Sequence, residues 1–362
     1  MYLHQRENWW DFRYDQKVVM NKLGPVRARQ GLMLGRMYSL GFDFQDEAML
    51  TTMSLELVRS SEIEGQVLNL NEVRSSIARR MGIYTAGLVP ASRFVDGIVE
   101  MLIDATQHYD MPLSDERLFG WHNVLFPTGR SGLYTIEVGK YRSGQMQVVS
   151  GPMGREKVHY EAPVPERVPE EMCRFMEWIN KDDDTDAVIK AAIAHLWFVS
   201  IHPFDDGNGR ITRAITDMLL ARSEHSSKRF YSMSNEIKVL QNEYYDVLEK
   251  TQKGDGDITA WLLWFLDCFD RALSSTQDTL SSVLAKARFW ESHRDMQVNE
   301  RQRKIINMQF DGFFGNLTTS KWAKIGKCST DTALNDIRDL MSKGVLKKNG
   351  GGGRSTNYSL IK

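Results

Sequence analysis

The chain has 362 residues, 42% hydrophobic and 26% charged, a mixture too long for one ordinary core and too apolar for a disordered chain. From a formal charge of −1 no whole-chain affinity for nucleic acid follows, yet residues 301–362 carry 12 Lys and Arg against 4 Asp and Glu, a basic end on an acidic body. Cys173, Cys268 and Cys328 form neither a CxxC pair nor a zinc spacing, the N-terminus is polar and aromatic, and no apolar run reaches the ~18 residues of a membrane span. The expectation is a cytoplasmic protein of two or three domains with no membrane contact.

In chain order, residues 12–40 predict helix, punctuated by Gly24-Pro25. A second helix runs from about Gln45 to Glu64, with Leu50, Met53, Leu57 and Val58 at helical spacing and Gly65 as its stop. Residues 71–81 and 91–109 add two more, and Ser114 is placed to cap a fifth over 115–126. Residues 127–169 are rich in Gly, Pro and β-branched residues. There Gln147–Ser150 and Lys157–Tyr160 predict strands joined by Gly151-Pro152-Met153-Gly154, a hairpin flap. Helices resume over 169–180 and 186–200, follow the loop at 202–209, and continue over 235–252 and 257–288. The end of the chain predicts helix at 300–311, then 317–324, then 330–343, and two strands around a run of glycines, the order of a winged helix-turn-helix.

The chemistry concentrates in His202-Pro203-Phe204-Asp205-Asp206-Gly207-Asn208-Gly209-Arg210-Ile211-Thr212-Arg213. Pro203 ends the helix before it. Gly207, Asn208 and Gly209 let backbone N–H groups converge where the next helix begins, an anion cradle. Arg210 and Arg213 suit phosphate oxygens, Asp206 offers hard oxygen to Mg²⁺, and His202 is a base near its operating pH. Together they imply transfer of a phosphorus group to a nucleophile. A metal site of His195, His202 and Asp206 would require helix through Pro203, so His195 reads as core. Neither a P-loop nor protein-kinase motifs are present.

This segment resembles the Fic family motif, H-x-F-x-[D/E]-G-N-[G/K]-R-x-x-R, at every fixed position. In that family the histidine deprotonates a target hydroxyl, which attacks the α-phosphate of ATP; AMP is transferred and pyrophosphate leaves. The resemblance implies His202 as the base and Asp206 as the Mg²⁺ ligand. It implies Gly207, Asn208 and Gly209 as phosphate binders, and Arg210 and Arg213 on the outer phosphates. Glycine rather than lysine at 209 resembles the adenylylating branch. Gly139-Lys140-Tyr141-Arg142 and the hairpin look like the family's flap, which aligns a target protein by strand addition and puts Val158, His159 and Tyr160 beside the nucleotide. Tyr244 and Tyr245 resemble the tyrosines that wall the adenine pocket; as residues alone they read equally as helix core. Gln252 falls near a position the family often fills with Asn.

Upstream, Ser60-Ser61-Glu62-Ile63-Glu64-Gly65 matches the family's inhibitory pattern, [S/T]-x-x-x-E-[G/N], with Ser60 and Glu64 on one helix face. Trp9-Trp10-Asp11 looks like the N-terminal extension of bacterial members. The expected architecture is mainly α. It comprises an N-terminal helical extension over 1–110 with the inhibitory helix near 46–65, a Fic core with its flap over 111–290, and a winged helix-turn-helix over 291–362. The expected activity is protein adenylyltransfer to Tyr, Thr or Ser, restrained by Glu64, in a homodimer that also modifies itself. Two alternatives stand beside it: removal of AMP from modified proteins by the same pocket, and a DNA-binding regulator in which the Fic domain is secondary; residues 291–362 are expected to contact DNA or another protein.

Overall fold

A computed structural model describes residues 1–83, 88–150, 155, 157–310, 315–349 and 356–361. The Gly151–Gly154 turn and the glycine run 350–353 read from the sequence lie outside the described residues. The described residues are mainly helical, with three two-stranded antiparallel hairpins. They form two compact units, Met1–Thr276 and Gln277–Lys362.

The first unit is built around α7 (Ala187–Ile201) and α8 (Asn208–Glu224). From Val188 to Ile201 every residue of α7 except Val199 is buried, so this helix is apolar all round and central. Asp186 caps it, accepting the Val188 N–H at 2.8 Å. Around this pair lie α1 (Gln16–Tyr38), α2 (Phe42–Ile63), α3 (Leu70–Met81), α4 (Arg93–Gln107), α5 (Asp115–Leu125) and α6 (Val168–Asn180). The Ser114 hydroxyl caps α5 through the Arg117 N–H, as its position predicts.

Helix α1 differs from expectation at both points that the sequence stressed. It begins only at Gln16, because Arg13 pairs its backbone with a distant loop: its N–H donates to the Gly256 carbonyl and its carbonyl accepts from Ile258. It also continues through Gly24-Pro25. Both residues lie on the exposed face, where the carbonyl that proline leaves free is open to solvent, while Val19, Leu23, Val26, Met33 and Met37 bury the opposite face. The expected helix 235–252 is two, α9 (Met233–Val239) and α10 (Gln241–Gln252), meeting at Leu240 with φ −99° and ψ 25°. The helix expected over 257–288 likewise divides at Leu280 into α11 (Thr259–Thr279) and α12 (Ser281–Ser292).

Three hairpins complete the pairing: β1 (Arg130–Ser131) with β2 (Tyr134–Thr135), β3 (Gln147–Ser150) with β4 (Lys157–Glu161), and β5 (Leu346–Lys348) with β6 (Tyr358–Leu360). In the second unit α13 (Glu300–Phe310), α14 (Thr319–Gly326) and α15 (Thr330–Ser342) precede the β5–β6 hairpin. Leu317 adds a bridge to Tyr358, and Ile305, Trp322, Ile337, Leu340 and Leu346 fill the interior. Asp336 ties this unit together by accepting from Asn299, Arg301 and the Trp322 indole.

Because each unit has its own core, a chain ending at Leu280 is expected to keep a cooperative thermal transition. Its loss, followed by circular dichroism, would mean that the first unit depends on the second.

Candidate active site

His202 closes α7 in the left-handed region, φ 52° and ψ 59°, with its N–H bonded to the Phe198 carbonyl. The turn into Pro203 aims the imidazole out of the helix. Its Nδ1–H donates to the Val199 carbonyl at 3.2 Å, which leaves Nε2 as the free lone pair. Burial lowers the pKa of His202 from its ordinary value, against the opposing effect of the Val199 carbonyl, so the ring is neutral at pH 7.

The loop that follows is held rigidly. Arg142, itself buried, donates from Nε to the His202 carbonyl and from Nη2 to the Pro163 carbonyl, and its backbone N–H bonds Pro203. Phe204 is fully buried and stacks on His122, ring centroids 4.3 Å apart. His122 donates from Nε2 to the Asp206 carbonyl and accepts the Gly139 N–H at Nδ1. Burial pushes its pKa down to about 4, so it is a neutral strut. The Asn208 side chain closes the loop on itself: Nδ2 donates to the Phe204 carbonyl at 2.7 Å, and Oδ1 accepts the Phe204 N–H at 2.9 Å. Its amide therefore clasps backbone, and any anion at this point meets main-chain N–H groups instead.

Gly207 caps α8 at φ 83°, and a Cβ there would stand 2.8 Å from the Phe126 ring. No side chain caps the first turn of α8 and no acidic residue lies in it, so its N–H groups and dipole are left for an anion. Gly207→Ala is expected to cost about 1–3 kcal/mol through strain at positive φ and the ring contact. An unchanged urea midpoint would contradict this.

Asp206 is half-exposed, and its carboxylate accepts from Ser131, from the Gly207 N–H and, at 3.5 Å, from Arg210. Among the described residues no cluster of three or more His, Cys, Asp or Glu could hold a metal. A lone accessible carboxylate suits Mg²⁺ that arrives with a nucleotide, which fills the remaining coordination with phosphate oxygens and water. Arg210 is 2% exposed, lies over the Phe126 ring, and reaches Gln66 Oε1 at 3.1 Å. Its Nε is buried without a partner, a donor that a bound anion would satisfy.

Arg213 makes the decisive contact. Its Nε donates to Ser60 Oγ at 2.8 Å, and Nη2 donates to the Ser60 carbonyl at 2.9 Å and to Glu64 Oε1 at 2.7 Å. The arginine side chain is 4% exposed and the glutamate 31%, so the pair is shielded far better than a surface ion pair. Burial alone would lower the Arg213 pKa, but Glu64, with smaller contributions from Tyr244 and Glu56, turns the net shift upward. Glu64 also lies against Gly209: a Cβ at 209 would fall 2.1 Å from Oε1, so only glycine admits the carboxylate there.

Glu64 is the C-cap of α2, a helix end where its own dipole disfavours a negative charge and where no basic residue lies in the last turn. The end is secured from outside. Lys238 donates to the Glu62 carbonyl, Gln241 to the Ile63 carbonyl, and Arg59 reaches Asn235.

A cavity of about 580 Å³ brings most of these groups together. Its wall includes Glu64, His202, Gly209, Arg213, Tyr244, Tyr245 and Gln252, together with Val148, Val149, Ser150, His159, Tyr160, Leu248 and Glu249. Tyr244 is buried and bonded through its hydroxyl to His195 Nε2, whose Nδ1 meets Thr216, so His195 is a core residue that positions a wall tyrosine. Tyr245 is partly exposed. Tyr160 is fixed by donating to the Ser200 carbonyl. Gln252 is tied to Ser200 Oγ. Val158 does not join them: it is exposed and outside the cavity wall. Asp206 and Arg210 also lie outside that wall, near Ser131 and Phe126. His122 and Ser131 were not singled out by the sequence, and Arg142 was read only as part of the flap segment Gly139-Lys140-Tyr141-Arg142, not as a support of the His202 loop. The contacts that give them these roles span 84, 75 and 60 positions, for His122, Ser131 and Arg142 in turn, and no local pattern announces such partners.

Residues 112–220 match the Fic/DOC family, and residues 2–83 match a domain of unknown function, DUF4172. The chain is 25% identical over 232 residues to the protein adenylyltransferase Fic of Nematostella vectensis, covering 60% of this chain and 47% of that protein. It is 27% identical over 228 residues to that of Drosophila yakuba, covering 60% and 40%. The chain thus spans less than half the length of these relatives. A Fic family protein from Desulfovibrio desulfuricans has the same fold, with a TM-score of 0.58 at 21% identity over 96% of this chain and 97% of its own. A Fic domain containing signaling protein from Bacteroides thetaiotaomicron gives 0.51 at 19% identity over 71% and 96%.

Proposed function

Given that this chain is a Fic family protein, we propose that it transfers AMP from ATP to a tyrosine, threonine or serine hydroxyl of a protein, and that Glu64 restrains it. The observation that carries this reading is the Glu64–Arg213 pair, which stands in the wall of the same cavity as the His202 imidazole. ATP would enter with its adenine against Tyr244 and Tyr245 and its phosphates at the first turn of α8, where Gly207 and Gly209 keep the backbone open. Arg210 and Arg213 would hold the outer phosphates. Mg²⁺, held by Asp206 and the phosphates, would neutralise charge on the leaving group.

His202 Nε2 takes the proton of the acceptor hydroxyl, and the oxygen forms a bond to the α-phosphorus. The bond from that phosphorus to the bridging oxygen breaks, and pyrophosphate departs. Val199 supports this role by keeping the proton on Nδ1. The β3–β4 hairpin would align the target backbone by strand addition. Residues 291–362 would serve as a contact for DNA or a second protein, and the active form would be a homodimer.

The carboxylate of Glu64 in that wall also favours a second reading, in which it positions water to remove AMP from a modified protein. Incubation with ATP labelled at the α- or the γ-phosphate separates the classes. Adenylyl transfer leaves only α-label on protein and releases γ-label as pyrophosphate. Retained γ-label would mean phosphoryl transfer, and AMP released from a premodified target without net incorporation would favour removal.

A further inference from the structure

On β4, the pairing Val148 with Tyr160 is followed by Val149 with Val158, so His159 is an extra residue without an opposite partner. Such a bulge re-aims a side chain. Here the His159 ring lies between two others. Nε2 is 2.6 Å from Ser150 Oγ on β3, and Nδ1 is 2.6 Å from Glu249 Oε2 on α10. Glu249 also accepts from Lys253 at 2.6 Å. Lys253 and then His159 hold its pKa down to about 2, so at neutral pH it is ionised and only accepts. Nδ1 therefore carries the proton, Nε2 presents its lone pair, and the Ser150 hydroxyl donates to it.

A serine bonded to an imidazole that a carboxylate orients is the arrangement of an activated nucleophile. All three line the cavity that holds His202 and Arg213. Ser150 is exposed, so its oxygen is accessible as well as activated.

We propose that Ser150, His159 and Glu249 form a second, internal acceptor relay, through which the protein adenylylates its own flap at Ser150 with His159 as the base. The inference rests on the proposed AMP transfer. The Ser150 Oγ forms a bond to the α-phosphorus of ATP, and the bond to the bridging oxygen breaks with pyrophosphate leaving. The serine proton passes to His159 Nε2, and the imidazolium is held by Glu249.

Two measurements on the full chain test it. The first uses an alkyl fluorophosphonate without nucleotide. Peptide mass mapping is expected to place the adduct on Ser150, Ser150→Ala to abolish it, and Glu249→Gln to slow it about 10-fold or more by releasing the ring. No label on Ser150 in the folded wild type overturns the relay. The second incubates Glu64→Gly with ATP and Mg²⁺ and maps AMP. The expected adduct on Ser150 persists when His202→Ala is added and is lost with His159→Ala. The opposite pattern overturns His159 as base. AMP on other residues but not on Ser150 overturns the inference and leaves the proposed activity standing. AMP nowhere fails the proposed activity, and the acceptor role with it.

Discussion

Glu64→Gly should raise AMP incorporation strongly, on the order of 10²-fold. The carboxylate both occupies Arg213 at 2.7 Å and repels an incoming triphosphate. ATP held by its adenine and inner phosphates alone would present its α-phosphorus out of line, and misplacement of that kind costs about 10²-fold in rate. The substitution changes little else. Glu64 lies past the last turn of α2, and the Lys238 and Gln241 bonds to the carbonyls of residues 62 and 63 do not involve its side chain. Arg213→Ala breaks the same ion pair yet removes the phosphate ligand, so it should not activate, and the double variant should resemble Arg213→Ala. Activation by Arg213→Ala would mean that loosening α2, rather than freeing the arginine, is what matters.

His202→Ala should abolish transfer to a target protein, with a loss of about 10²–10⁴-fold, while nucleotide affinity changes little. The phosphates have their ligands elsewhere, on α8. The pH dependence adds a signed test. Burial lowers the His202 pKa below the ordinary 6.5, and the neutral ring is the active form. The rate should therefore be flat from pH 7 down to about 6.5 and fall only as pH drops through the lowered pKa. An acid limb centred above 6.5 in single-turnover measurements would contradict the buried, neutral base.

The motif was legible because its parts are contiguous. A loop of Gly and Asn between two helices carries its base, carboxylate and arginines within twelve positions, His202 to Arg213. Glu64 was legible from a short pattern, and the structure adds a physical reason for it: a carboxylate at a helix C-terminus opposes the dipole and is compensated by Arg213, 149 positions away. Other features depend on distant partners. Pro25 should have punctuated α1, but its exposed position leaves the freed carbonyl open to solvent. The divisions at Leu240 and Leu280 carry no Gly or Pro signal. The resemblance to the family's flap grouped Val158 with His159 and Tyr160 beside the nucleotide, whereas the cavity wall takes in His159 and Tyr160 but not Val158. Asn208 looked like a phosphate ligand, and its amide is engaged by the Phe204 backbone.

The central claim is that Glu64 stands where the γ-phosphate would meet Arg213, and the ratio of ATP to ADP affinity measures it directly. A hydrogen bond to a charged group contributes about 1.5–3 kcal/mol, or about 10- to 100-fold in affinity. Equilibrium titration with Mg²⁺ should find ATP and ADP bound alike by the wild type. Glu64→Gly should favour ATP by at least 10-fold, and adding Arg213→Ala should erase that preference. An ATP to ADP ratio unchanged between wild type and Glu64→Gly, both folded, would contradict the account.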